Sequence, residues 1–151
     1  MSNKPLVYLA FIILVLGGGL VIGAHTVPGG WYASLAKPFF NPPNWLFAPV
    51  WSILYLVIGV VGARTWLAFR RSMAMRFWFA QLVLNFAWTP VFFGLEDPAS
   101  AMIVILALDI AVAGFIAASW RQDRPSALAF LPYLAWVLFA TALNGAILVL
   151  N

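Results

Sequence analysis

The chain has 151 residues, 65% of them hydrophobic and only 8% charged, with a mean hydropathy of +1.00. A soluble domain carries about 25% charged residues, so this composition excludes a water-coated globule and points to the bilayer as solvent. The chain contains no cysteine, which excludes disulfides and thiol chemistry, and the meaning of its +4 net charge depends on where the cations fall.

Crossing a hydrocarbon core of about 30 Å takes about 20 apolar helical residues. Five windows meet this length, at about 6–25, 46–67, 76–94, 99–120 and 127–149. The apolar runs are continuous and do not alternate at period two, which predicts helices and not a barrel. The expected fold is an all-α integral membrane protein, one domain over 1–151. It is a bundle of five transmembrane helices with a structured aromatic first loop at 26–45. The first window follows Lys4 as a signal peptide would, but it is long and lacks a small-x-small cleavage site. It is read as the first span.

Five spans place Lys4, Arg64, Arg70, Arg71, Arg76, Arg121 and Arg124 on one side, and Lys37, Glu96, Asp97 and His25 on the other. Such a bias predicts a cytoplasmic N-terminus, with the C-terminus and the first loop non-cytoplasmic. The charge reports topology and predicts no nucleic-acid partner. Inner and outer bacterial membranes both stay open, because charge bias does not distinguish them. His25, the sole histidine, reads as an interfacial side chain: metal sites need several converging ligands, and neither a metal nor a cofactor is expected.

The first span carries Gly17-Gly18-Gly19 and then Gly23. Small residues four apart let helix backbones approach closely in lipid, so a packing or dimer seam is favoured over a ligand contact. The loop that follows runs WYASLAKPFFNPPNWLF over 31–47, with six aromatics, three prolines and one lysine. An interfacial aromatic belt explains a Trp and a Tyr, but not this density with a stiff Pro42-Pro43. Proline lowers the entropy cost of ordering, which predicts a hydrophobic lid of one shape, including Lys37, Pro38, Phe40, Pro42 and Pro43. Trp45 and Phe47 lead from it into the second span, and Lys37 is placed to meet a ligand carboxylate or a lipid phosphate.

Glu96-Asp97-Pro98 and Arg121-Gln122-Asp123-Arg124-Pro125 are short breaks, making spans three, four and five antiparallel neighbours or near-neighbours. In the third span Gln81, Asn85, Trp88 and Phe92 share one helical face, and Tyr133, Trp136, Ala140 and Asn144 repeat the pattern in the fifth. Two readings are open. The amides glue helices together, at about 0.6 kcal/mol per bond, or the stripes line a cavity for a polar aromatic ligand. Pro90 and Pro132 each free the carbonyl four residues earlier, on Phe86 and Leu128, and kinks there open space between spans. Asp109 is the one acid at the centre of a span, where a charge costs about 2.5–3.5 kcal/mol. It is a functional candidate, or a neutral carboxyl bonded to another span. No second mid-membrane charge accompanies it, so a proton or ion pathway is thinly supported.

The stretches WYASLAKPFFNPPNW through VWSILY, QLVLNFAWTPVFFG and LPYLAWVLFATALN together resemble the TspO/MBR family, the tryptophan-rich sensory proteins related to the mitochondrial translocator protein. The likeness covers the first loop and spans two, three and five, with the blocks in the family's order. It implies a five-helix bundle, usually a homodimer. The family binds porphyrins such as protoporphyrin IX, and also sterols and synthetic benzodiazepine-type ligands, beneath the first loop. Carried over by position, the pocket is walled by Trp51, Asn85, Trp88, Trp136, Ala140 and Leu143, with Trp31, Trp45, Pro42 and Pro43 in the lid. Some bacterial members are described as breaking down protoporphyrin in light, with tryptophans at the positions of Trp51 and Trp136.

Three departures matter. Phe40 stands where the family often has Trp. Val104 stands where many members have an aspartate, and Asp109 lies five positions on, about 140° around the helix, so that role does not transfer to it. The stretch Leu143–Asn151 lacks the Tyr and basic residue of the proposed sterol motif, a weak pattern in any case, which favours tetrapyrrole over cholesterol.

The leading expectation is therefore a receptor or sensor that binds porphyrins, with Phe47 extending the aromatic wall and Asn85 and Asn144 orienting the ligand's polar edge. Light-dependent porphyrin breakdown through tryptophans is the enzymatic alternative, since no nucleophile–base pair or nucleotide loop is present. Porphyrin or metabolite transport is the other, weakened by the lack of inverted repeats and paired charges.

Overall fold

In the computed structural model, which describes residues 3–151, five helices are long and apolar enough to cross a membrane. They run over Lys4–His25, Asn44–Phe69, Met73–Gly94, Pro98–Ser119 and Arg124–Leu150, within a few residues of the expected windows. Residues Gly30–Ser34 add a single helical turn in the first loop. No strand occurs among the described residues. The chain is all-helical, as its unbroken apolar runs require.

Local chemistry sets the ends. Ser72 caps the third span by accepting a bond from the Met75 N–H at 3.2 Å, and Asp97 caps the fourth by accepting from the Ser100 N–H at 3.0 Å, with Pro98 at its first position. Pro90 turns the end of the third span into a wider π-helical turn, Pro90–Gly94. Pro132 sits where the fifth span breaks at Phe130, between Arg124–Ala129 and Leu131–Leu150. Both prolines therefore mark irregular backbone, the physical consequence of a missing N–H.

Glu96 closes the third span in the left-handed region, at φ 53°. A side chain there costs about 1–3 kcal/mol, partly returned on substitution by glycine's larger unfolded-state entropy. Glu96→Gly is expected to raise stability by about 0.5–1 kcal/mol, readable as a higher melting temperature in detergent.

The third span packs along the fourth, the fourth along the fifth, and the first along the second. At the basic end the second to fifth spans pack densely. Ile58, Trp78, Val112, Phe115, Phe130 and Tyr133 are fully enclosed there. Trp78 donates its Nε1–H to the Ile58 carbonyl at 3.0 Å, so the indole is both packed and anchored. The basic end is clasped by Arg64 and Asp123, with contacts of 2.9–3.0 Å from Nε and Nη2 to the two carboxylate oxygens. Ser126 Oγ donates to the same carboxylate at 2.6 Å.

The opposite half is looser. Gly18 and Gly19 let Phe86 and Tyr55 lie directly against the first helix backbone. The Gly19 step is thus an internal packing seam, and Gly23 has open space around it.

Candidate functional site: an aromatic cavity beneath the lid

Four tyrosine and amide side chains mark the boundary between dense and open halves. Tyr55 donates to Asn85 Oδ1 at 3.1 Å, Asn85 Nδ2 donates to Tyr133 Oη at 2.7 Å, and Tyr133 donates to Gln81 Oε1 at 2.7 Å. One continuous chain of bonds thus ties the second, third and fifth spans. Each group serves as its neighbour's partner, which is how polar atoms are kept in an apolar interior. The polar stripes read from the sequence do meet, and at this level they act as glue.

Above that floor lies a cavity of about 720 Å³ between the first, second, third and fifth spans, roofed by the first loop. This falls within the range of about 300–1,000 Å³ that holds drug-sized ligands. Trp51, Trp88 and Trp136 stand on three different helices of its wall, joined by Phe47, Ala140 and Leu143. The expected set is therefore brought together in large part. Its rings already contact one another: Phe47 meets Trp136 edge-on at 6.0 Å, Trp51 meets Tyr55 at 5.4 Å, and Trp88 stacks on Phe92 at 5.1 Å.

Asn144 reaches the cavity too, but its amide is engaged. It accepts from Trp88 Nε1 at 3.0 Å and donates to the Pro98 carbonyl at 2.9 Å. The bond fixes the plane of the Trp88 indole. Asn85 is not on the wall. It is buried in the network below, where Tyr55 and Tyr133 take both ends of its amide.

The lid is folded onto this mouth. Tyr32 is buried against Phe92 and Phe93 and lines the cavity, and Trp31 packs edge-on against Phe92 at 5.8 Å. Burial pushes the Tyr32 phenol above its ordinary pKa, so the group stays neutral. Pro42 and Pro43 deliver the chain into the turn Asn44–Leu46 that starts the second span. Lys37 turns back on its own loop. Its Nζ donates to the Tyr32 carbonyl at 2.7 Å and the Leu35 carbonyl at 3.3 Å, and sits 4.5 Å from the Tyr32 ring centre. Pro38 follows it, leading to Phe39, which is fully exposed, and to Phe40, which packs against Phe139 at 6.2 Å. Trp45 is 71% exposed and does not line the cavity.

Asn151 holds the lid from the far end of the fifth span. Its side chain accepts from the Ala36 N–H at 3.0 Å and donates to the Ala36 carbonyl at 2.9 Å. This two-point latch predicts that Asn151→Ala raises hydrogen exchange at the Ala36 amide by about fivefold, with the membrane spans unchanged.

Sequence reasoning missed Tyr55, Phe93 and the first span's share of the wall, from Leu16 to Thr26. Tyr55 had a signal, since it lies one helical turn beyond Trp51. The first span's share had none, because its residues are uniformly apolar. Gly19 and Gly23 also border the cavity, the contact that seemed less favoured beside packing. Asp109 meets Thr141 of the fifth span, with Oδ2 at 2.8 Å from Oγ1, and takes no part in the cavity. Among the described residues, no lysine, arginine, histidine or acidic side chain lies on the wall, so the wall offers stacking, shape and neutral hydrogen bonds.

The family model described as the TspO/MBR family matches residues 10–150. The chain belongs to the TspO/MBR family. It is 44% identical to the tryptophan-rich protein TspO of Archaeoglobus fulgidus, over all of this chain and 99% of that one. It is 42% identical to protein CrtK of Rhodobacter capsulatus, covering 85% of this chain and 83% of that protein. Against the human translocator protein it is 36% identical over 83% of this chain and 79% of the relative. Membership and five apolar spans make it an integral, multi-pass membrane protein of receptor or sensor type.

Proposed function

We propose that this TspO/MBR protein binds a porphyrin-type tetrapyrrole in the cavity beneath the lid, in the manner of a sensor. One observation carries the reading. The cavity wall is uncharged and presents three indoles, Trp51, Trp88 and Trp136, around about 720 Å³. A flat aromatic macrocycle gains from stacking and apolar burial in such a space, while its carboxylates face the lid end. Sterols and benzodiazepine-type aromatics are the other ligand classes the cavity's apolar walls suit. We read the protein as a homodimer, as the family resemblance implies. The basic end is read as cytoplasmic, on the positive-inside rule.

Protoporphyrin IX titrated into the detergent-solubilised protein should quench tryptophan fluorescence saturably. Trp51→Phe with Trp136→Phe should weaken both the affinity and the quenching, and saturable quenching unchanged in that double variant sinks the assigned site. A sterol titrated in parallel distinguishes the ligand classes. Because the chain has no cysteine, Phe39→Cys and Arg121→Cys give clean labelling tests of orientation in intact cells or spheroplasts.

A second reading, light-dependent breakdown of the porphyrin, is favoured by Trp51 and Trp136 both standing on the wall. Loss of protoporphyrin in light that requires the protein, and that fails in darkness, supports it; equal loss without protein ends it.

A further inference from the structure

The lid makes a turn at 38–41, closed by the Asn41 N–H donating to the Pro38 carbonyl at 3.1 Å. Two phenylalanines form its tip, in unlike surroundings. Phe39 is fully exposed, and among the described residues its ring meets only that of Phe40, edge-on at 5.4 Å. Phe40 lies against Phe139 of the fifth span at 6.2 Å. Asn41, the next residue, borders the cavity, so this segment has an inner and an outer side.

Two contacts on the fifth span set the depth of the turn. Ala36 is bonded to Asn151, just past the end of that span. Phe139 lies about three turns, roughly 18 Å, back along the same helix. Between Ala36 and Phe40 the loop therefore descends beside the span toward the membrane centre. Leu148, Val149 and Leu150 are apolar and exposed, so the hydrocarbon reaches close to Asn151, and Phe139 stands inside it. Phe139 belongs neither to the packed core nor to the cavity wall, and its neighbour Leu138 is 50% exposed. Phe40 thus meets the span on its lipid-facing side.

The backbone suits that place. Irregular chain is kept out of lipid by the cost of unpaired N–H groups. Pro38, Pro42 and Pro43 have none, and Asn41 uses its own within the turn. The two that remain, on Phe39 and Phe40, are few enough for lipid ester carbonyls to accept.

We propose that the rings of Phe39 and Phe40 insert among the acyl chains of the non-cytoplasmic leaflet and anchor the lid to the bilayer. The lid is then a side wall as well as a roof, with lipid on its outer face. Phe139 also lies 5.5 Å from Trp136, so the anchored tip and the cavity wall are joined ring to ring. The anchor stands whether or not the cavity binds porphyrin.

The test uses the full chain carrying 4-fluorophenylalanine, in phosphatidylcholine nanodiscs. The Phe39 fluorine resonance is assigned by its loss in Phe39→Leu, and that of Phe79, a 40% exposed residue of the third span, by its loss in Phe79→Leu. Dissolved oxygen concentrates in hydrocarbon, whereas a gadolinium chelate stays in water. Phe39 should be relaxed by oxygen and shielded from the chelate, as Phe79 is. Phe39→Asp should raise hydrogen exchange at the Ala36 amide by about tenfold, and Phe39→Leu should leave it as in the wild type. Relaxation of Phe39 by the chelate places the ring in water, and shielding from both reagents places it against a second copy of the chain. Either result overturns the proposal, as does an Ala36 exchange rate unaltered in Phe39→Asp.

Discussion

Gly62→Ala is expected to destabilise the bundle by about 1–3 kcal/mol, toward the upper end of what overpacking usually costs. A methyl group at Gly62 would overlap the Trp78 ring and come within 2.8 Å of Phe11. Trp78 has nowhere to go. It is fully buried, packs against Phe11 at 5.1 Å and Phe79 at 5.1 Å, and its Nε1–H is committed to the Ile58 carbonyl. Relieving the overlap means breaking that bond or moving the second span away from the third. Gly23→Ala is the internal control, since nothing lies within 4 Å of the added carbon. It should be neutral or slightly stabilising through helix propensity. Thermal unfolding of both variants in one detergent checks the pair, and equal melting temperatures would refute the packing account.

The second large effect belongs to the Arg64–Asp123 clasp, two residues further along the same helix. Asp123→Asn should cost about 2–3 kcal/mol, the range for hydrogen bonds to a charged group. It removes the charge that pairs with Arg64 and weakens the Ser126 contact. The same carboxyl sets a pH dependence. Burial works against its charged form, but the bonds from Arg64 and Ser126, with the charge of Arg64, outweigh it and hold the Asp123 carboxyl below the usual carboxylate range. Because the folded pKa is depressed, the stabilisation is fully present above the unfolded value of about 3.9. It is lost as pH falls through the folded value. Stability should therefore stay level from neutral pH down to about 5 and decline below 4, and Asp123→Asn should remove that acid-side decline in large part. A variant with the same acid-side slope as the wild type would place the pH dependence elsewhere.

These two sites show why the bundle has unlike halves. The basic half is filled by Trp78, Phe115, Phe130 and Tyr133 and closed by the Arg64–Asp123 pair. The lid half has Gly18 and Gly19 on one side and Ala140 on the other, with large aromatic rings between them. Dense packing at one end gives the rings at the other end a rigid base. The Tyr55–Asn85–Tyr133–Gln81 chain separates the two regions and orients Tyr55, which belongs to both. A lid held by Lys37 on its own carbonyls and by Asn151 on Ala36 then needs no charge inside the cavity.

Hydropathy, the charge bias and the position of proline are local properties of a chain, and they were enough to determine the five spans, the break points and the aromatic first loop. Helical period placed Trp88 with Asn85 and Phe92, and Trp136 with Ala140 and Asn144, because residues on one stripe of a helix keep that relation in any packing. What a stripe faces is a different matter. Asn85 and Asn144 look alike on paper, yet the partner of one is Tyr133, 48 positions away, and of the other Trp88, 56 positions away. The spacing aimed Lys37 at a ligand, but the acceptors it meets are two carbonyls of its own loop, those of Tyr32 and Leu35. Gly19 seemed as fit for a dimer as for internal packing until Tyr55 was found against it. Arg64 and Asp123 belong to segments 59 positions apart, and no spacing rule joins them. In each case the outcome depends on how neighbouring helices are rotated and how closely they approach. That is set by side-chain volumes across an interface, and only the tertiary structure decides it.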